Sequence, residues 1–176
     1  MPARHIRDAT AADAAACTAI YGPYVSDTAV TFESDPPTVR QMQLRIEVAQ
    51  RHHAWLVLEE DGDVVGYAYA GPFKERAAYR WSCEVSVYLA PTRRGAGGGR
   101  ALYEALLERL ADRGYRMAAA GMTQPNEASA RLHAALGFEP VGTFRAVGWK
   151  HGAWRDVTWV QRSLGDATGA PGAEPA

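Results

Sequence analysis

The stretch Glu84-Val85-Ser86-Val87-Tyr88-Leu89-Ala90-Pro91-Thr92-Arg93-Arg94-Gly95-Ala96-Gly97-Gly98-Gly99-Arg100 decides the fold class. Its first part is apolar and β-rich and reads as the end of a strand running from about Arg80 to Leu89, which Pro91 breaks. Its last part empties into a segment where Leu102, Leu106 and Leu110 recur at i, i+4 and i+8, the core stripe of a helix that stops at Gly114. A strand joined to a helix by glycines turns several backbone N–H groups and the positive end of the helix dipole towards one point, which makes a seat for an anion. With almost no side chains from 95 to 99, a pyrophosphate can approach the backbone, and Arg93, Arg94 and Arg100 add charge. The plainer alternative is a flexible glycine turn with solvated arginines. No Lys-Ser or Lys-Thr follows as in a Walker A loop, and the acidic ribose position of a dinucleotide fingerprint is absent.

Working outward, Arg4-His5-Ile6-Arg7 reads as a short strand, and Thr10 with Asp13 reads as a capping box before an Ala-rich helix over 11–21. A turn at Gly22-Pro23 follows, and Ser34-Asp35-Pro36-Pro37-Thr38 announces a second helix to about Arg51, with Phe32 in the loop between the two. Trp55–Leu58 and Val64–Ala70 form an antiparallel hairpin across an acidic turn containing Gly62. Met117–Gly121 reads as a buried strand. Pro125-Asn126 then opens a helix with Ala128, Leu132, Ala135 and Leu136 on its buried face and Gly137 as its stop. Phe138–Phe144 and Asp156–Leu164 are further strands flanking a Gly/Trp-rich segment, 148–154. The expectation is a single α+β domain over 1–164 with a mixed central β-sheet flanked by helices and no internal repeat. Residues 165–176, reduced to Gly, Ala, Pro, Thr and acidic residues, are expected to form a disordered tail.

The 176 residues carry 19 Lys and Arg against 20 Asp and Glu, a formal net charge of -1, so no global field favours nucleic acid or an anionic membrane, and neither partner is expected. Two cysteines, Cys17 and Cys83, outside any CxxC pair or His cluster, argue against a disulfide framework and a metal site and for a reducing, cytoplasmic setting. The first residues contain no apolar leader, and no apolar run approaches the roughly 18 residues of a membrane span, so neither export nor embedding is expected.

The Arg-x-x-Gly-x-Gly pattern after a strand resembles the acetyl-CoA pyrophosphate loop of the GCN5-related N-acetyltransferases, and Asn126-x-x-Ser129-x-x-x-His133-x-x-x-Gly137-Phe138 resembles that superfamily's second acetyl-CoA segment, with His133 where many members carry Tyr. Within the superfamily, Ala68–Arg76, Tyr79-Arg80-Trp81, Glu84–Tyr88, Arg131–Gly137 and Lys150–Val157 resemble phosphinothricin and methionine sulfoximine N-acetyltransferases, over residues 4 to about 164. The resemblance implies acetyl-CoA as co-substrate and no metal, with Val87, Tyr88 and Leu89, the loop Arg94, Gly95, Ala96, Gly97, Gly98, Gly99 and Arg100, and Asn126 and Ser129 as coenzyme contacts. Phe32, Lys74, Glu75, Arg76, Tyr79, Glu84, Val85 and Ser86 would line a pocket for a small amino-acid-like substrate. A homodimer is also implied.

Glu84 alternates with Cys83, Val85, Val87 and Leu89 along its strand, so its carboxylate points away from the most apolar face. An ammonium must lose a proton before attacking a thioester, and a carboxylate raised towards neutrality by burial can take it directly or through water; a structural ion pair is the alternative. His133 lies four residues after Ser129 and seven after Asn126 on one helix face, with Leu132 and Leu136 facing elsewhere. By resemblance it is a second proton-transfer or substrate-orienting group. Cys83 reads as core rather than nucleophile. Trp149, Trp154, Trp159 and Tyr115 read as core or dimer face rather than a base-stacking surface. Two other readings stay open: an acetyltransferase for a protein N-terminus or an amine antibiotic, and a non-catalytic acyl-CoA-binding module.

Overall fold

The structure is a computed structural model and describes residues 4–166 and 168–175. Met1–Ala3, part of the start read as lacking a leader, and Ala167 and Ala176 of the expected tail lie outside the described residues. Among the described residues, β1 (Arg4–Asp8), β2 (Ala54–Glu60), β3 (Asp63–Pro72), β4 (Ser82–Leu89), β5 (Met117–Thr123), β6 (Glu139–Lys150) and β7 (Ala153–Ser163) form one sheet in the order β1-β2-β3-β4-β5-β7-β6. The helices are α1 (Ala14–Asp27), α2 (Val39–His52), α3 (Gly98–Asp112) and α4 (Glu127–Ala135). Every neighbouring pair is antiparallel except β4 with β5, so the sheet is mixed, as expected.

Strand alternation divides the core into two layers. Cys83 and Val85 of β4 join Leu102, Leu106 and Leu110 of α3 on one face. Tyr88 joins Trp55, Tyr67 and the α1 and α2 residues Tyr21, Tyr24, Met42 and Ile46 on the other. Thr10 and Asp13 form the capping box, but the helix they introduce runs on to Asp27. The turn expected at Gly22-Pro23 is therefore absent. Pro23 removes one backbone donor inside α1, and burial of Ile20, Tyr21, Tyr24 and Val25 on both sides of it outweighs that loss.

The segment 148–154 is likewise not a connection between strands. β6 and β7 continue to a two-residue turn at His151-Gly152, where both φ values are positive (50° and 68°). β6 bulges between Phe144 and Gly148, and Ala146 there has a φ of 48°. Asp156 holds the bulge, accepting from Ala146 N (2.8 Å) and Arg145 Nη1 (3.0 Å). Trp149 and Trp154 stand exposed at the hairpin end and are not core, whereas Tyr115 is buried. After Leu164 the chain runs back over the surface, with Ala173 O accepting from Trp81 Nε1 (3.3 Å) and Glu174 paired with Arg80.

The parting of β4 from β5 positions the site. β4 pairs with β5 only through Ser82↔Met117, Cys83↔Ala118 and Glu84↔Ala119. β3 follows β4 as far as Leu89, and β7 follows β5 as far as Thr123. The two halves keep their outer partners and part beyond Glu84, opening a wedge between inner strand edges.

Candidate active site

The wedge presents backbone. Ala90 N–H donates to Val65 O on β3 (2.9 Å), and antiparallel alternation then turns Leu89 and Val87 towards the opposite, unpaired edge. The Tyr24 hydroxyl confirms this direction: it donates to Leu89 O (2.7 Å) and lies 3.4 Å from Leu89 N. Val87 is left as the peptide at the middle of the open edge.

Beyond Leu89 the chain makes a 3-10 turn at Pro91–Arg93 and enters α3 through glycines with positive φ at Gly95 (81°) and Gly97 (82°), where L side chains would be strained. Gly95, Gly97 and Gly99 line a groove of about 430 Å³ together with Val87, Leu89, Arg94, Arg100, Asn126, Ser129, Leu132, Tyr24 and Thr28. Gly98 turns the other way, where a Cβ would come within 2.8 Å of Leu58 Cδ2, so its lack of a side chain serves packing. The guanidinium of Arg94 stacks 4.8 Å from the Tyr24 ring centroid. The start of a 15-residue helix, a glycine edge and two arginines thus meet the wedge in one concave surface suited to a phosphate chain followed by a linear arm.

Glu84 is the last β4 residue paired to β5 and lies on the α1/α2 face of the sheet, with Ser86. Burial pushes its carboxyl above the usual range, with the Lys74 ammonium pulling the other way. Its neighbour Ala119 lines a recess of about 440 Å³ walled by Phe73, Phe144, Trp159, Met117 and Val141, with Lys74 at the rim. Glu84 lines neither cavity itself; it lies on β4 before Val87 of the phosphate-competent groove and across from Ala119 of the aromatic recess with its one ammonium. That is the arrangement needed to deprotonate a small amine beside an activated acyl group.

Residues 6–159 match the family model described as an acetyltransferase (GNAT) domain. The chain belongs to the GNAT acetyltransferase family. It is 43 % identical over 159 residues to a phosphinothricin N-acetyltransferase of Streptomyces viridochromogenes, covering 90 % of this chain and 87 % of that one. It is 34 % identical over 168 residues to an L-methionine sulfoximine/L-methionine sulfone acetyltransferase of Pseudomonas aeruginosa, covering 94 % and 98 %. The crystal structure of a phosphinothricin acetyltransferase from Sinorhizobium meliloti in complex with AcCoA superposes with a TM-score of 0.92 at 40 % identity, over 96 % of this chain and 93 % of that one.

Within this GNAT chain, most of the expected coenzyme contacts meet in the groove, but α4 departs in part from its expected orientation. Leu136 is buried and Leu132 packs against the core, as expected, with Leu132 also bordering the groove beside Ser129 and Asn126, but Ala128 and Ala135 are exposed and His133 points inward, 3 % exposed. His133 Nδ1 lies 2.7 Å from Ser129 O, a carbonyl that only accepts, so this nitrogen carries the proton. Nε2 then accepts from the Tyr103 hydroxyl at 3.2 Å, and burial lowers the imidazole's pKa. Both ring nitrogens are thus engaged inside the protein, one on Ser129 O and the other on the Tyr103 hydroxyl.

The expected substrate set divides. Val85 turns its side chain to the opposite face under α3, as alternation requires next to Glu84. Lys74 borders the aromatic recess. Glu75, Arg76 and Tyr79 line a separate polar recess with His52, His53 and Tyr115, to which Lys74 also contributes. Phe32 packs its ring over Gly148, where a Cβ would overlap it. Burial pushes the Cys83 thiol up to about 12, which suits core rather than nucleophile.

Sequence reasoning missed Tyr24, Tyr69, Tyr103 and Lys150. Tyr69, packed on Trp55 at 4.4 Å, reaches Ser86 beside Glu84. Lys150 Nζ donates to Val25 O (2.8 Å), Thr31 O (2.7 Å) and Glu33 O (2.9 Å), tying the Phe32 loop to the β6–β7 hairpin. Tyr69 and Lys150 had a signal, each standing in a stretch singled out for resemblance; Tyr24 and Tyr103 had none.

Proposed function

We propose that the chain is an acetyl-CoA-dependent N-acetyltransferase acting on the α-amino group of a small glutamate-like or methionine-derived amino acid, such as phosphinothricin, methionine sulfoximine or methionine sulfone. The observation that carries this reading is the place of Glu84, at the end of the β4–β5 pairing, across from Ala119 of the aromatic recess and on the same strand as Val87 of the glycine groove. Gly95–Gly99, Arg94 and Arg100 hold the pyrophosphate. The Val87 and Leu89 peptides run alongside the pantetheine arm, and the Val87 N–H polarises the thioester carbonyl. Glu84, desolvated and so more basic than an exposed carboxylate, takes a proton from the substrate ammonium. The free amine attacks the carbonyl carbon, the C–S bond breaks, and CoA leaves as its thiolate, which takes up the proton that the new amide nitrogen sheds. Lys74 pairs with an acidic group of the substrate, while Phe73, Phe144 and Trp159 enclose its short apolar end.

The named substrates of relatives from Streptomyces viridochromogenes and Pseudomonas aeruginosa support the acceptor class. The exposed apolar row Val141, Phe144, Val147, Trp149 and Trp154 supports assembly as a homodimer, and buried unpaired thiols support a cytoplasmic site of action. The deciding assay measures CoA release against a panel of amino acids and their sulfone, sulfoximine and phosphinate analogues. Selective turnover of the analogues supports the reading, and equal turnover of simple aliphatic amines overturns the proposed acceptor.

A further inference from the structure

The coenzyme loop is braced from outside the groove by a buried carboxylate. Glu60, at the end of β2, is 4 % exposed, accepts from Arg4 Nε at 2.7 Å and forms an ion pair with Arg93 Nη1 at 3.2 Å. The same Arg4 guanidinium donates through Nη1 to Ala96 O at 2.8 Å. Arg4, Glu60 and Arg93 take no part in lining the groove, whereas Gly95, Gly97, Arg94 and Arg100 all do.

In a planar trans peptide the C=O and the following N–H point in opposite directions. A guanidinium holding Ala96 O on the outer side therefore turns the Gly97 N–H inward, towards the groove. Gly97 has no side chain to restrict its backbone and sits at φ 82°, so this peptide is otherwise free to rotate. Glu60 also sorts the arginines. It draws Arg4 and Arg93 to the outer side, leaving Arg94 on Tyr24 and Arg100 at the groove.

We propose that Arg4, oriented by Glu60, is a positioning residue for the acyl donor: it fixes the Ala96–Gly97 peptide so that its N–H is already aimed at the coenzyme's pyrophosphate. This rests on the reading of the 94–99 loop as the pyrophosphate seat. It adds the source of that seat's preorganisation, a two-residue relay outside the groove with one member on the first strand.

The test compares two acyl donors with the same thioester and pantetheine arm, acetyl-CoA and S-acetylpantetheine, which lacks the pyrophosphate. In Arg4→Ala, KM for acetyl-CoA should rise about tenfold with kcat within twofold, the scale of one lost charge-assisted bond, while kcat/KM for S-acetylpantetheine stays at the wild-type value. Glu60→Gln should move the same parameter in the same direction, and Arg4→Lys should recover part of the loss. Arg4 is on the edge strand and more than a third exposed, so its variants remain informative even if Glu60→Gln folds poorly. Unchanged KM for acetyl-CoA in Arg4→Ala, or an equal loss with both donors, overturns the relay. A wild-type enzyme that uses both donors equally well overturns the pyrophosphate seat itself, and the relay with it.

Discussion

The Tyr103 hydroxyl donates to His133 Nε2 across the α3–α4 contact, at 3.2 Å and out of reach of solvent. A ring whose other nitrogen is committed to Ser129 O serves as a strut between helices. His133→Ala should therefore act on stability first, because it empties a buried position and takes from the Tyr103 hydroxyl the nearer of its two partners, leaving Val85 O at 3.5 Å, at a cost of about 1–3 kcal/mol. Each kcal/mol lowers Tm by about 2–4 °C in a domain of this size. Because the folded-state pKa of His133 is depressed, its contribution is complete above the ordinary imidazole value and lost as pH falls through the folded value, so the Tm gap to wild type should narrow in acid. The acid limb of the pH–kcat profile should stay in place in this variant. Its disappearance would make His133 a proton-transfer group after all.

Glu84→Gln separates chemistry from stability. Loss of the base should lower kcat by about 10² to 10⁴ with little change in acetyl-CoA affinity. The folded-state carboxyl pKa is raised, so the contribution of Glu84 to stability is complete below its unfolded value and declines as pH rises through the folded one. The glutamine variant should accordingly melt above wild type at pH 8, with the two converging as pH falls. Thermal melts across pH, run beside kinetics with two substrates of different amine pKa, check both halves.

Lys74 and Arg76 should not behave alike. Lys74 borders the aromatic recess beside Glu84, while Arg76 lines only the polar recess with His52 and His53. Lys74→Ala should raise the acceptor's KM by about 10- to 100-fold, the value of a charge-assisted bond, and Arg76→Ala by clearly less. Steady-state kinetics at saturating acetyl-CoA decides the order.

Lys150→Met keeps the length of the side chain and removes three donors from the carbonyls of Val25, Thr31 and Glu33. The Phe32 loop should lose its tether to the hairpin, lowering Tm by several degrees and raising the acceptor's KM while leaving that of acetyl-CoA in place. Equal changes in both KM values would place the effect of Lys150 elsewhere.

The parts legible in the sequence are those specified by neighbours in the chain. The hairpin around Gly62, the Thr38 cap, the leucine stripe of α3 and the 94–99 loop each depend on residues a few positions apart. What escaped depends on distant partners. Pro23 reads as a helix stop until Tyr21, Tyr24 and Val25 find the sheet, and Tyr24 meets Leu89 from 65 positions away. The inward turn of His133 is set by Tyr103, 30 positions earlier, and Lys150 is spent on Thr31, 119 positions earlier. The two recesses that divide Lys74 from Arg76 exist only once β5, β6 and β7 are laid beside β4.

Three rungs join the halves of the sheet, at Ser82, Cys83 and Glu84. Four strands lie to one side and three to the other, each set fastened by longer antiparallel ladders, so this seam is the least stitched line across the molecule. In the proposed binding mode, a pantetheine arm along the Val87 edge takes the place of the strand that is missing there. The coenzyme thereby becomes part of the architecture, binding the folded form alone and adding about 2.7 kcal/mol at a hundred times its Kd. The gap that admits the acyl group is thus closed by the acyl donor, and the protein is most completely built while it is loaded.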